Sequence, residues 1–279
     1  MTVEIVHPLV RRVLAPNPSP FTNTGTQTHI VGHGEIAVID PGPDIAEHVE
    51  AILAATQGER IVAIVCTHTH RDHTPAAAPL AKATGAAIVG CAPIAARDGS
   101  GLEAGFDQSY APDRIMVEGD TVSAPGWTLE AIATPGHTSN HLCFALPEAN
   151  ALFSGDHVMG WSTSVVVPPD GDMGAYLASL EKLLARDDEV YFPAHGDPVT
   201  KPQRLVRGMI GHRRQRENQI LRLLGEGPRS IAALVAAMYV GLDPRLEKAA
   251  AASVLAHLID LAARGRIAEE DDAWSVATA

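Results

Sequence analysis

The feature that most constrains this chain is the run "RIVAIVCTHTHRDH" at residues 60–73, an apolar segment that gives way without a break to three histidines and an aspartate. A continuous apolar run bounded by polar residues reads as a strand buried on both faces, which requires a sheet with helices or a second sheet packed against it. The strand's end is then fixed in space, and so is whatever follows it. In an extended segment alternate side chains share a face, so His68 and His70 point the same way, while Asp72 and His73 follow where the chain begins to turn. Packing has no use for such a cluster; N/O ligation of a metal requires one.

The same residue types recur where other apolar segments end. "TPGHTSNH" places His137 after a Pro-Gly turn, "FSGDHV" places Asp156 after a strand, and "YFPAHGD" places His195 likewise. The candidate metal ligands are therefore His68, His70, Asp72, His73, His137, Asp156 and His195. Asp40, which ends "EIAVID", is expected to orient a ligand imidazole or to cap a turn. Asn140 and His141 are candidates to stabilise charge on a substrate oxygen, or else to order the loop behind His137. Residues 158–169, "VMGWSTSVVVPP", are expected to wall the pocket, with Trp161 as an apolar face.

Strand and helix patterns alternate up to about residue 200. "AEHVEAILAATQG", "TPAAAPLAKATG" (with Pro75 in its first turn) and "GAYLASLEKLLARDD" read as helices. "IMVEGDTVSAPGWTLEAIATPGH" reads as antiparallel strands, so the class is α/β with mixed sheets rather than a purely parallel one. Beyond Lys201 the pattern becomes three helices, "LVRGMIGHRRQRENQILRLLGEG", "SIAALVAAMY" and "LEKAAAASVLAHLIDLAARG", and a hairpin, "RIAEEDDAWSVAT". That is the order of a winged-helix module. The expected domains are residues 1–200, catalytic, and 201–279, winged-helix-like.

Charge separates these two parts. Residues 1–200 hold 9 basic and 24 acidic side chains and residues 201–279 hold 12 and 9. The acidic catalytic part argues against a protein that coats nucleic acid, and the acidic wing "AEEDDAW" against duplex DNA. The stretch 201–216 is acid-free and carries Lys201, Arg204, Arg207, Arg213, Arg214 and Arg216, so it reads either as a solvated helix face or as a track for single-stranded RNA. Three cysteines without CxxC spacing read as reduced thiols. With no export signal or membrane-length apolar run, the expected location is the cytoplasm, with no membrane partner and with self-association into an oligomer left open.

In "HTHRDH", "PGHT", "SGD" and "PAHG", in that order, with "DPG" at 40–42 before them, the chain resembles the metallo-β-lactamase superfamily. "NPSPFTNTGTQTHIVG", "DGDMGAYLASLEKLL" and "GHRRQRENQIL" are similar to its β-lactamase-like protein 2 branch, which ends in a winged-helix module. The resemblance implies an αββα sandwich followed by a small helical winged-helix-like domain. It implies two Zn²⁺ per chain, with iron or manganese as substitutes: His68, His70 and His137 on one, Asp72, His73 and His195 on the other, and Asp156 bridging. A metal-bridging hydroxide, oriented by Asp72, would attack the acyl carbonyl of a small ester, thioester, lactone or β-lactam. The alternative is an endoribonuclease acting on single-stranded RNA.

Overall fold

The computed structural model describes residues 2–94 and 105–277. The chain divides into two compact units: Met1–Thr134 with Asn140–Ser164 and Arg186–Leu205, and Pro135–Ser139 with Val165–Ala185 and Val206–Ala279.

The first unit contains two sheets. Strands β1 (Val3–His7), β2 (Val10–Leu14), β3 (Gln27–His33), β4 (Glu35–Ile39), β5 (Arg60–Cys66), β6 (Ala87–Gly90) and β7 (Arg114–Ile115) form one sheet in sequential order. Pairing is antiparallel from β1 to β4 and parallel from β4 to β7. In the second sheet β8 (Thr121–Ala124), β9 (Trp127–Ala133), β10 (Leu142–Leu146) and β11 (Ala151–Gly155) are antiparallel neighbours, and β12 (Val190–Pro193) pairs parallel with β11. Side chains of both sheets, among them Ile30, Val38, Ile64, Leu129, Phe144 and Phe153, belong to one buried core. Helix α1 (Ala46–Ala55) packs on β2, and α2 (Ala77–Thr84) packs on β5 and β6. Helix α2 begins two residues after Pro75, which therefore lies outside the helix rather than in its first turn.

Strand β5 is the middle of the parallel half, and Ile61 and Ala63–Cys66 are buried. Its register with β4 sets Ile39 beside Val65, so Asp40 and Thr67 leave adjacent strands at the same level. On the other sheet Gly155 pairs with Pro193, which brings Asp156 and His195 to one edge. Main-chain bonds tie the two sheets together at this rim: Leu142 N–H donates to the Thr67 carbonyl (2.9 Å) and Gln27 N–H to the Ala194 carbonyl (2.7 Å). The far side of the core is keyed by Trp127, whose Nε1–H donates to the Glu35 carbonyl at 2.7 Å and whose ring lies against Gly32.

The second unit contains α3 (Met173–Leu184), capped by the Asp172 side chain, then α4 (Pro202–Gly225) from Val206 onward, α5 (Ile231–Met238), α6 (Glu247–Ala263) and the hairpin β13 (Ile267–Glu270)–β14 (Ala273–Val276). Ile220, Leu234, Val254, Leu258 and Trp274 are among the residues of its own core. The hairpin exposes Glu269, Glu270, Asp271 and Asp272. The arginine run is not a uniformly solvated face, one of the two readings its sequence allows. Arg213 is 4% exposed with its guanidinium 5.3 Å from the Tyr176 ring, Arg214 pairs with Glu181 at 2.7 Å, and Arg216 lies over Tyr239. An amphipathic period cannot distinguish an arginine that stacks in the interior from one that faces water.

Two stability measurements follow. A Cβ on Gly32, at φ +91°, would come within 2.2 Å of Trp127 Cδ1, so Gly32→Ala should lower unfolding free energy by roughly 2–4 kcal/mol in urea melts. His257 is buried with no hydrogen-bond partner at either ring nitrogen. Burial first, and then the charge of Arg213, pulls its pKa down to about 3. The unfolded chain binds this proton near pH 6.5 and the folded chain does not. Stability of the second unit should therefore fall as pH drops from about 6.5 towards 3, and His257→Phe should flatten that slope in thermal melts.

Candidate metal centre

The rim carries two ligand groups. In the first unit His68, His70 and Asp156 present donor atoms all within 4.8 Å of one another, and so do Asp72, His73 and His195. Asp156 also faces the second group, with Oδ1 3.6 Å from His73 Nε2 and 3.3 Å from His195 Nε2. Asp72 Oδ2 stands 3.5 and 3.2 Å from the same two nitrogens. Six of the seven sequence candidates, those of the first unit, are thus brought together.

The surrounding hydrogen bonds orient the imidazoles. Thr67 Oγ1 donates to Asp40 Oδ2 at 2.8 Å, so it accepts from His68 Nδ1–H at 3.0 Å and leaves Nε2 as the acceptor nitrogen. His73 Nδ1–H donates to Asp40 Oδ2 (3.0 Å), His195 Nδ1–H to the Gly25 carbonyl (3.2 Å) and His137 Nδ1–H to the Val165 carbonyl. Each of these four rings therefore offers the lone pair of Nε2. His73 Nε2 and His195 Nε2 are buried without a hydrogen-bond partner. His68 Nε2 and His70 Nδ1 are 3.0 Å apart, near the roughly 3.3 Å that separates two nitrogens bound at about 2.0–2.1 Å to one tetrahedral ion.

Electrostatics agree. Burial disfavours charge on His73, yet Asp72, Asp156 and Asp40 raise its pKa well above the ordinary range. Against the same burial, Asp156 and Asp72 raise His195 to about 10. Burial pushes Asp72 up, and the charges of His73 and His195 outweigh it and hold Asp72 at about 2. Carboxylates facing these rings set up a demand for positive charge that either ring protons or a divalent cation meets. A His/Asp set with oriented Nε2 lone pairs, orphaned buried nitrogens and excess carboxylate fits divalent metal.

Asn140 and His141 have partners in the frame. Asn140 Nδ2 donates to Thr69 Oγ1 (3.0 Å) and to the Ala92 carbonyl (2.7 Å). His141, 1% exposed, bonds Thr134 Oγ1 through Nδ1 and accepts the Asp156 N–H at Nε2 (3.2 Å), so it fixes the backbone that carries Asp156. Gly155 makes this approach possible, because a Cβ there would lie 2.6 Å from His141 Nε2. Asp40 is 2% exposed and accepts Thr67 N–H, Thr67 Oγ1–H and His73 Nδ1–H. Sequence reasoning missed Thr67 and Gly25. Thr67 was within sight as the residue between strand and motif; Gly25 acts through its carbonyl, which carries no sequence signal.

Comparison with known proteins places these observations. The family model described as Metallo-beta-lactamase superfamily matches residues 23–195, and the Beta-lactamase associated winged helix domain matches residues 230–274. The chain is 34% identical over 226 residues to the Atrochrysone carboxyl ACP thioesterase of Aspergillus fumigatus, an alignment covering 78% of this chain and 66% of that protein. It is 32% identical over 228 residues to the Beta-lactamase-like protein 2 homolog of Caenorhabditis elegans, covering 80% and 74%. The structure of a Beta-lactamase domain protein from Burkholderia ambifaria superposes with a TM-score of 0.81 at 20% identity, over 99% of this chain and 93% of that one, and so shares its fold.

The network predicts a strong effect from a small change. Asp40→Asn keeps a residue tolerant of φ +46° but leaves one acceptor oxygen where three donors converge. Affinity for divalent metal, measured by competition with a chromophoric chelator, should weaken about 10–100-fold while the circular dichroism spectrum is retained.

Proposed function

The chain belongs to the metallo-β-lactamase superfamily as a metal-dependent hydrolase, and we propose that it cleaves the acyl bond of a small ester, thioester, lactone or β-lactam, with a thioester the preferred form. The observation that carries this reading is the paired ligand set in which Asp156 faces both groups and Asp72 Oδ2 stands beside His73 and His195. Similarity to a protein named as an ACP thioesterase supports the thioester preference.

In this reading His68, His70 and His137 hold one ion, Asp72, His73 and His195 hold the other, and Asp156 serves both; zinc suits the set, and iron or manganese suits its oxygen-richer half. Bound ions supply Lewis-acid polarisation of the acyl carbonyl and a water ionised near neutral pH. The chain's own part falls chiefly to Asp72. Its side chain is 28% exposed, against 0–10% for His73, His195 and Asp156, so it is the carboxylate of the set that faces incoming substrate. Asp72 orients the ionised water and takes its remaining proton as the water oxygen joins the carbonyl carbon. It returns that proton to the sulfur, oxygen or nitrogen of the leaving group as the acyl bond breaks. Asp40, Thr67, Asn140 and His141 position the ligands and their loops. The chemistry is assigned to residues 1–200 and the winged-helix module to 201–279. Three buried cysteines outside any disulfide support a reducing, cytoplasmic setting, and no described helix is long and apolar enough to cross a membrane.

The ribonuclease alternative draws on the arginine run, and the engagement of Arg213 and Arg214 with Tyr176 and Glu181 weighs against it. A hydrolysis panel of thioesters, lactones, a chromogenic cephalosporin and single-stranded RNA tests both readings: thiol release is expected, and RNA cleavage without it would overturn the proposal. Asp72→Asn should reduce kcat about 100-fold or more with KM changed by no more than a few-fold. Metal content is determined in parallel to separate proton transfer from ligation.

A further inference from the structure

The four rings that present Nε2 are turned by acceptors behind Nδ1, but His70 presents the other nitrogen: its Nδ1 stands 3.0 Å from His68 Nε2. Nδ1 lies one bond closer to the main chain than Nε2 does. A ring that ligates through it has a short reach, so the backbone of residue 70 must be placed as accurately as the ring itself.

Residues 105–107 supply that placement. Arg71 N–H donates to the Gly105 carbonyl (3.1 Å) and Asp107 N–H to the Thr69 carbonyl (2.8 Å), which makes His70 and Phe106 an antiparallel bridge. These bonds flank the pair instead of joining it, the arrangement that brings opposed side chains closest. Phe106 is accordingly 5% exposed, with its ring 4.6 Å from the His70 ring at an interplanar angle of 41°. Its carbonyl also accepts from Arg71 Nε (3.3 Å). The Asp107 carboxylate accepts the Ser109 N–H (2.9 Å) and the Thr74 hydroxyl (2.8 Å), and so fastens the segment to the residue after His73.

We propose that Phe106 and Asp107 are positioning residues that hold His70 for ligation through Nδ1 and thereby set the affinity of its metal site. The proposal rests on the assignment of His70 as a ligand. A ring that only fills space needs volume, whereas a ring that fixes an imidazole plane needs a flat face against it. That difference separates the two roles of Phe106 by experiment.

Zinc affinity is measured by competition of a chromophoric chelator against the zinc-loaded protein. The protonated nitrogen of each imidazole is read by long-range proton–nitrogen correlation on histidine-labelled protein, with His70 assigned by its loss in His70→Ala. In the parent protein His70 should carry its proton on Nε2, and His68 and His73 theirs on Nδ1. Phe106→Ala should weaken zinc binding about tenfold and broaden the His70 signals while those of His73 persist. Phe106→Tyr should restore both; Phe106→Leu, which fills volume without a flat face, should restore the thermal midpoint and not the affinity. Asp107→Ala should give a smaller loss of the same pattern. Parent affinity in Phe106→Ala, full affinity in Phe106→Leu, or equal loss of the His70 and His73 signals would overturn the proposal. If Phe106→Ala does not fold, tight binding by the tyrosine variant with weak binding by the leucine variant supports it, and equal binding by the two overturns it. Parent affinity in His70→Ala would sink the ligand assignment and the proposal with it; a loss in His70→Ala that Phe106→Ala does not share would sink the positioning role alone.

Discussion

A carboxylate taken out of water destabilises a fold by several kcal/mol unless its oxygens are met by donors, and Asp40 is where this chain meets that condition. Its two oxygens receive a main-chain N–H, a hydroxyl and an imidazole N–H, all from the segment that follows β5. The parallel register of β4 and β5 makes this possible by ending both strands at one level. From Asp40 the order spreads outward: Thr67 is fixed, Thr67 fixes the His68 ring, and His73 is turned so that Nε2 faces Asp72 and Asp156. One buried acid thus sets the orientation of two ligand rings in each of which the wrong tautomer would present a hydrogen in place of a lone pair.

The second sheet reaches the same end by other means. His195 is oriented by the Gly25 carbonyl, and Asp156 through its own backbone by His141. No single network controls the centre; separate ones converge because the strands that carry them stop at a common edge. The carboxylates so collected raise the affinity of nearby groups for protons. The charges of His73 and His195 hold Asp72 ionised, which makes it a proton acceptor of modest strength, suited to receiving a proton and giving it up again.

The candidate cluster was legible in the sequence because each of its residues follows an apolar run: a strand end fixes position, and His or Asp there is chemically loud. The winged-helix order was legible for a similar reason, since Ser230 caps α5 by accepting from Ala233 N–H and the apolar period of α6 is long. What escaped was whatever acts through the main chain or by packing. The Gly25 carbonyl has no side-chain signature. Pro75 reads as a helix start, yet the chain spends Thr74–Ala76 on the turn behind His73 before α2 begins. Arg213 looks like its neighbours until Tyr176, 37 residues away in sequence, supplies a ring for it to stack on. Long-range partners of this kind are set by tertiary structure, and local pattern holds no record of them.

The two main-chain bonds that tie the sheets at the rim, from Leu142 to Thr67 and from Gln27 to Ala194, bear on how such a protein can diversify. Backbone bonds are indifferent to side-chain identity, so the spacing between ligand-bearing strand ends is insulated from substitutions in the loops above. Apart from Gly25 and Val165, whose carbonyls orient His195 and His137, residues of the 17–25 and 158–169 loops can then change in character without dismantling the cage. Substrate preference becomes a trait that drifts under selection while the reacting centre is inherited intact.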